Sequence, residues 1–203
     1  MRRILFPLIM AFLAIPEFAQ AQLEIGFTGG YQFSSRGTVN YGYVNVGDGP
    51  STKFDLNFRL EDNYFGFSYS GVETDAYLSG FYNYDTERNY IRMNYYELHY
   101  ERSIPTGSDI FQPFGGMQAG WLHVNNQTTG GSADRLYLGA TLGLRAFLTE
   151  KFGLRGYFNL NAPIEGFGAS FYAGTGGSGA GVSTYSTMVF FSVGGGVFLQ
   201  LGG

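Results

Sequence analysis

The amino-acid sequence predicts an all-β protein, a closed antiparallel up-and-down transmembrane β-barrel of about eight strands. Three observations support this prediction. Apolar and polar residues alternate with period two in a series of segments, the connections between those segments alternate between long and short, and the first 21 residues resemble an export signal. Together they indicate a sheet with an apolar exterior and a polar interior, which suits a barrel surrounded by lipid.

The clearest alternation with a small inner face lies in residues 187–201, TMVFFSVGGGVFLQL. Successive side chains of a strand point to opposite faces, so every second residue shares a face. One face carries Val189, Phe191, Val193, Val197, Leu199 and Leu201, and the other carries Ser192, Gly194, Gly196 and Gln200. A bulky apolar face opposite a small or polar face predicts a strand between lipid and a barrel interior.

Further segments follow the same rule, and the most regular is residues 54–61, FDLNFRLE. Residues 23–33, 64–71, 136–147 and 152–161 also set bulky apolar residues against glycines, amides and charges. Two segments are less regular. In residues 89–102, the apolar Ile91 and Met93 fall on the face that is polar in the rest of the segment. This predicts either a bulge near Tyr95 or an upstream part that rises beyond the bilayer. In 111–124, Met117, Ala119 and Trp121 are predicted to face outward, but Leu122 interrupts the pattern.

The connections form a second pattern. Long ones (34–53, 73–88, 125–134 and 162–186) follow the first, third, fifth and seventh segments, whereas shorter ones (62–63, 103–110 and 149–151) follow the others. Transmembrane barrels have short periplasmic turns and long outer loops. The alternation therefore predicts that the long connections face the exterior.

Residues 1–21 have the features of a secretory signal: Arg2 and Arg3, an apolar stretch, and a small-x-small site at Ala19 and Ala21. We expect export through the Sec pathway and a barrel domain over residues 22–203. The apolar stretch is too short to cross a bilayer as a helix.

Composition limits the possible functions. The chain has no cysteine, and this excludes disulfides and thiol chemistry. Only 14% of its residues are charged. Removing Arg2, Arg3 and Glu17 with the signal takes the basic residues from 12 to 10 and the acidic ones from 16 to 15, a net charge of −5. This balance does not indicate a nucleic-acid partner. The sequence has no cluster of Asp, Glu and His residues at a spacing typical of metal ligands, and we expect no cofactor.

The opening segment LEIGFTGGY (23–31) and the closing segment GVFLQL (196–201) resemble those of small Gram-negative outer-membrane β-barrels of the OmpA-barrel and OmpX-like group. The resemblance implies residence in the bacterial outer membrane, with lipid around the barrel. Gly196, Leu199 and Leu201 match the C-terminal signal that such proteins present to the barrel-assembly machinery, although Gly202 and Gly203 follow and a terminal aromatic residue is missing.

We expect the residues on the strand faces that are predicted to point inward to form a polar network in the lumen. Its members are Asp55, Arg59, Glu61, Glu97, His99, Glu101, Arg145 and Arg155. An eight-stranded barrel has room only for its own side chains, so buried charges there must pair. The favoured interpretation is a plug of salt bridges, and the alternative is a gated pore or a proton-linked site centred on His99.

Three functions remain open at this stage. The favoured one is a non-enzymatic outer-membrane protein that contributes to envelope integrity, adhesion or surface interaction with an unknown surface ligand. Its outer connections are rich in aromatic residues: Tyr41, Tyr43, Tyr77, Phe81, Tyr82, Tyr84, Phe167, Phe171, Tyr172 and Tyr185. The alternatives are a lipid A-modifying hydrolase, although neither His99 nor His123 lies in a His-x-Ser arrangement, and a narrow passive pore. A soluble lipocalin-like barrel is the competing fold.

Overall fold

A computed structural model describes residues 22–39, 42–80, 88–108, 110–164, 169–174, 177–182 and 188–202. Over these residues it contains twelve β-strands. They are β1 (Gln22–Gln32), β2 (Ser35–Val39), β3 (Gly42–Val46), β4 (Gly49–Leu60), β5 (Asn63–Gly80), β6 (Asn89–Ser103), β7 (Phe111–Asn126), β8 (Ser132–Phe147), β9 (Phe152–Ile164), β10 (Ala169–Gly174), β11 (Gly177–Val182) and β12 (Phe190–Leu201). The signal segment, with Ala19 and Ala21, lies outside the described residues, and in the described part no helix is long and apolar enough to cross a membrane.

Eight of these strands close into a barrel. Around its circumference the order is β1, β4, β5, β6, β7, β8, β9 and β12, and β12 returns to β1 with Leu23 opposite Leu201 and Gln32 opposite Ser192. All neighbouring pairs are antiparallel. Closure leaves no unpaired edge, which is the condition for a sheet to cross a bilayer. The predicted fold class is therefore confirmed.

Two hairpins are added at the end with the long connections, which we call the loop end. The opposite end, with the short connections, is the turn end. The hairpin β2–β3 continues the barrel wall, because β3 pairs with the last residues of β5. The hairpin β10–β11 forms a separate two-stranded sheet. The predicted connection 34–53 was wrong in extent, since it contains β2, β3 and the start of β4.

The outer surface of the barrel is apolar. Large side chains there are solvent-exposed in the isolated chain, with Met117 at 69%, Leu142 at 64% and Phe158 at 64%. The alternating inward positions hold the charges and amides, and residues such as Glu24, Asp55 and Arg145 are fully buried. This arrangement is opposite to that of a lipocalin-like barrel, whose competing prediction is therefore wrong, and it matches a barrel whose exterior contacts hydrocarbon.

The irregular parity of residues 89–102 does not come from a bulge. The β5–β6 register runs unbroken from Asn63 opposite Arg102 to Ala76 opposite Asn89. Ile91, Met93 and Tyr95 point into the barrel together with Glu97. The interior itself changes character, from charged near the turn end to apolar near the loop end, so the predicted bulge near Tyr95 was wrong.

Candidate functional site: the layered lumen

The centre of the lumen holds a group of paired charges that we call the ionic plug. Its members are Glu24, Lys53, Asp55, Glu97, Glu101, Arg145 and Arg155, all with side chains at most 4% exposed. They come from five strands, β1, β4, β6, β8 and β9. Side chains from opposite walls therefore meet on the barrel axis, where an eight-stranded barrel is narrow enough for them to touch.

Each cation of the ionic plug bridges at least two carboxylates. Arg145 Nη2 lies 2.6 Å from Glu101 Oε2 and 3.5 Å from Glu24 Oε1. Arg155 pairs with Glu101, and its Nη1 lies 3.8 Å from Asp55 Oδ2. Such sharing offsets the desolvation of buried charges only because every carboxylate has a close cation.

Lys53 links two carboxylates of the ionic plug. Its ammonium pairs with Glu97 and lies 3.5 Å from Asp55 Oδ1. Glu97 also accepts hydrogen bonds from Ser68 Oγ at 2.5 Å and from the Tyr137 hydroxyl at 2.6 Å. One carboxylate is thus shared by an ammonium and two hydroxyls, which suits a buried anion.

Aromatic rings cover the plug on the turn side. The guanidinium carbon of Arg145 lies 3.8 Å from the centroid of Tyr64 and 4.4 Å from that of Phe114. Arg155 lies 4.8 Å from the Phe114 centroid. Stacking of a guanidinium on a ring adds cation–π attraction, which is strongest where water is excluded. The rings therefore contribute to holding the two arginines in place.

His99 lies beside the plug, next to a serine from the neighbouring strand. Its Nδ1 is 3.2 Å from Ser68 Oγ and its Nε2 is 2.6 Å from Asn57 Oδ1, while Asn57 Nδ2 donates to Glu24 at 2.8 Å. Ser, His and Asn are residue types that can serve as a nucleophile, a base and an orienting group in catalysis. Here, however, Ser68 is 0% and His99 5% exposed, so the group faces the packed interior.

Asp55, Glu97 and His99 place their ligand atoms within 4.8 Å of one another. The Lys53 ammonium already pairs with both carboxylates, and His99 Nε2 lies against the amide oxygen of Asn57. An ammonium and a divalent ion would compete for the same oxygens. The donor set therefore fits an internal ion pair better than a metal centre.

Close packing around His99 requires a glycine on β5. A Cβ added at Gly66 would overlap Asn57 Oδ1 and His99 Nε2, whereas one at Gly71 would find its nearest neighbour, a Tyr69 oxygen, at 3.8 Å. We expect Gly66→Ala to break the His99–Asn57 contact and lower the free energy of unfolding by about 1–3 kcal/mol. We expect Gly71→Ala to raise it by about 0.5–1 kcal/mol. Urea titration in detergent compares them, and equal effects would contradict the packing.

The loop end of the lumen is apolar. Above the plug, Tyr95 and Tyr137 meet edge to face with centroids 5.4 Å apart, and we call this pair the tyrosine floor. Their hydroxyls donate to Gln32 and Glu97, respectively, and so face the polar side. Beyond the floor lies a ring of buried side chains that we call the apolar cup: Val46, Val72, Ile91, Met93, Leu122 and Phe190.

The structure brings together six of the eight residues predicted for the lumen. These are Asp55, Glu97, His99, Glu101, Arg145 and Arg155. Arg59 is half-buried at the turn end, where its Nε donates to the Glu61 backbone oxygen. Glu61 was wrongly placed, because it begins the tight turn after β4 with a φ of 54° and its side chain is exposed.

Sequence reasoning missed two members of the plug. Lys53 was assigned to a connection, although its parity with Asp55 on β4 would have placed it inside. Glu24 lay on the predicted inward face of β1, but its partners Arg145 and Arg155 are more than 120 residues away in the chain. Only the register of β5 and β6 brings Ser68 next to His99.

His123 lies on the outer surface near the loop end. Its Nδ1 is 2.7 Å from Asp134 Oδ1, and Trp121 Nε1 donates to the same oxygen at 2.8 Å. These hydrogen bonds, from His123 first and then Trp121, hold the pKa of Asp134 below its usual range. Asp134 lies just beyond the exposed Leu136 and Leu138 of β8. A polar and aromatic group at the rim of an apolar belt is typical of a membrane interface.

The three residues of the predicted assembly signal lie in β12. Gly196 faces inward, where an added Cβ would overlap the backbone of Phe27, and Leu199 and Leu201 face outward, each 43% exposed. Gly196 thus allows β1 and β12 to approach closely at the closure of the barrel. Recognition by the assembly machinery stays a prediction.

An apolar exterior, a closed eight-stranded wall and a charged interior define the class of small outer-membrane β-barrels, and the fold of this chain belongs to that class. No protein-family model matches the chain, and no curated protein matches it in sequence. Its structure is similar to that of Neisserial surface protein A, with a TM-score of 0.62 and 13% identity over 88% of this chain and 97% of that one. It is also similar to the outer membrane protein OprG from Pseudomonas aeruginosa, with a TM-score of 0.59 and 10% identity over 90% and 97%.

Proposed function

We propose that the chain is a non-enzymatic integral protein of the bacterial outer membrane, with a sealed lumen, that acts at the cell surface through its loop end. The observation that carries this proposal is the ionic plug. Its charges are paired across the axis, and rings of Tyr64 and Phe114 lie against it. A lumen filled in this way contributes rigidity and leaves the long hairpins as the parts that meet other molecules.

The burial of Ser68 and His99 argues against the lipid-modifying hydrolase. A lipid substrate reaches a barrel enzyme from the bilayer, so the nucleophile must be accessible from the outer surface. Here Ser68 Oγ donates to Glu97, and both side chains lie inside the wall. The hydrogen-bonding groups of Ser68 and His99 are used for contacts with Glu97, Asn57 and each other.

Electrical recordings test the sealed lumen. In planar bilayers we expect the wild-type protein to show no steady single-channel current, because charges and rings fill the axis. The double variant Glu101→Ala/Arg155→Ala removes one cation and one anion of the plug, and we expect it to conduct. The matched variant Glu73→Ala/Arg92→Ala removes an exposed pair 3.5 Å apart and should stay silent. A steady wild-type current would support the passive pore instead.

Labelling of intact cells tests which end faces outward. Because the chain has no cysteine, a single cysteine gives an unambiguous signal. Thr129 lies in the β7–β8 connection at the loop end and Glu150 in the β8–β9 turn, and both are exposed. We expect a membrane-impermeant maleimide to label Thr129→Cys in intact cells and Glu150→Cys only after lysis. The reverse result would invert the proposed orientation.

A further inference from the structure

All members of the apolar cup except Val72 line an open cavity of about 430 Å³ at the loop end of the barrel. Its lining includes Ile91, Met93, Leu122, Val124 and Phe190. Small-molecule sites have volumes of roughly 300–1,000 Å³ and walls that are mostly apolar. The cavity therefore has the size and the surface of a ligand site.

The cavity is separate from the seal. No residue of the ionic plug is among the described residues that line the cavity. The tyrosine floor packs in the same buried cluster as the apolar cup, and Tyr137 donates its hydroxyl hydrogen to Glu97 of the ionic plug. The charges of the ionic plug pair with one another without any contribution from the apolar cup, so the proposed seal does not explain why the cup is there. An apolar concave surface that opens toward water is costly unless something covers it, and such surfaces mark binding sites.

One cation, Arg135, is among the described residues that line the cavity. Arg135 belongs to the lining and lies two residues before Tyr137 on the inward parity of β8. Its Nη1 donates to the backbone oxygen of Asp134 at 2.8 Å. Within the described residues it forms no salt bridge, although its charge acts on the neighbouring Asp134, whose carboxylate already accepts hydrogen bonds from His123 and Trp121. A guanidinium beside an apolar cavity suits a ligand with a carboxylate or another anionic head.

We infer that the loop end of the lumen binds one molecule of a small amphiphile, with a linear hydrocarbon body in the apolar cup and an anionic head at Arg135. Met93 and Met188 on opposite sides of the cavity are unbranched and adaptable, which allows the wall to follow a flexible chain. The inference goes beyond the sealed barrel, because it assigns a ligand to the space above the seal.

Methionine methyl resonances provide a direct test. Met93 and Met188 line the cavity, whereas Met117 faces outward from β7. In ¹³C-methyl NMR of the protein in phospholipid nanodiscs, we expect sodium decanoate to shift Met93 and Met188 in a saturable manner and to leave Met117 unchanged. Equal, non-saturable shifts at all three would show partition into lipid and overturn the inference. A Met117 without contact to lipid would instead contradict the membrane barrel itself.

Two variants separate the body from the head. Ala76 is half-buried against the cup, so Ala76→Trp should fill the cavity and abolish the shifts at Met93, while heat-modifiable gel mobility shows that the barrel is folded. Arg135→Gln should raise the Kd of decanoate about two- to fivefold, the effect of one exposed charge, and leave decanol binding unchanged. Nuclear Overhauser contacts of Met93 to another segment of this chain or to phospholipid, without any response to decanoate, would overturn the inference.

Discussion

Replacing Arg145 with methionine will lower the free energy of unfolding by about 3–5 kcal/mol. Arg145 is 0% exposed, pairs with Glu101 and Glu24, and stacks on Tyr64. Its removal leaves two buried carboxylates with one cation fewer, and an uncompensated buried charge is strongly destabilising. Urea unfolding of the protein refolded in detergent micelles, followed by the loss of heat-modifiable mobility, measures the change.

A matched variant outside the lumen controls for the loss of an arginine. Arg92 is half-exposed and pairs with Glu73 at 3.5 Å, so Arg92→Met should cost less than about 1 kcal/mol. Adding Glu101→Gln to the Arg145 variant should restore part of the lost stability, because the ionic plug then again has one carboxylate more than it has cations, as in the wild-type protein. Similar costs for Arg145→Met and Arg92→Met would mean that water reaches the plug.

Placing a charge on the outer belt will have the second large effect. Leu142 is 64% exposed and lies near the middle of β8 on the outward face. If hydrocarbon surrounds it, Leu142→Arg should cost about 2–4 kcal/mol, because a charge is expensive at the bilayer midplane. Unfolding in phosphatidylcholine bilayers measures this cost directly.

Depth along the wall provides the control. Leu148 follows β8 at the turn end and is 59% exposed, so Leu148→Arg should cost about 0–1 kcal/mol, the value expected near an interface. Exposure of the two leucines is similar, and only their distance from the midplane differs. A small cost at Leu142 as well would show that the apolar face contacts water or protein instead of lipid.

The regular strands could be predicted because their signal is local. In residues 54–61 every second side chain is apolar, and the structure places those side chains outside and Asp55 and Asn57 inside. The same logic failed where the interior stops being polar. Ile91 and Met93 broke the pattern because parity reports only which residues share a face, and the rule assumed that the inward face is polar throughout.

The arrangement within the lumen was beyond the reach of the sequence. The parity of His99 indicated that it faces inward, but its contacts with Ser68 and Asn57 depend on the registers of β6 on β5 and of β5 on β4. Those registers are set by pairing across the whole sheet and by the turns. Glu61 shows the opposite limit, because one residue past the end of a strand the alternation no longer applies.

Some contacts of the ionic plug join residues far apart in the sequence, and this affects the kinetics of folding and unfolding. Glu24 contacts Gln200 over 176 residues and Arg145 over 121, so these pairs form only after the last strand has joined the first. Interactions made after the rate-limiting step slow unfolding and leave the folding rate almost unchanged. We therefore expect the contacts of Glu24 to determine how long a completed barrel persists and to have little influence on how quickly the barrel forms.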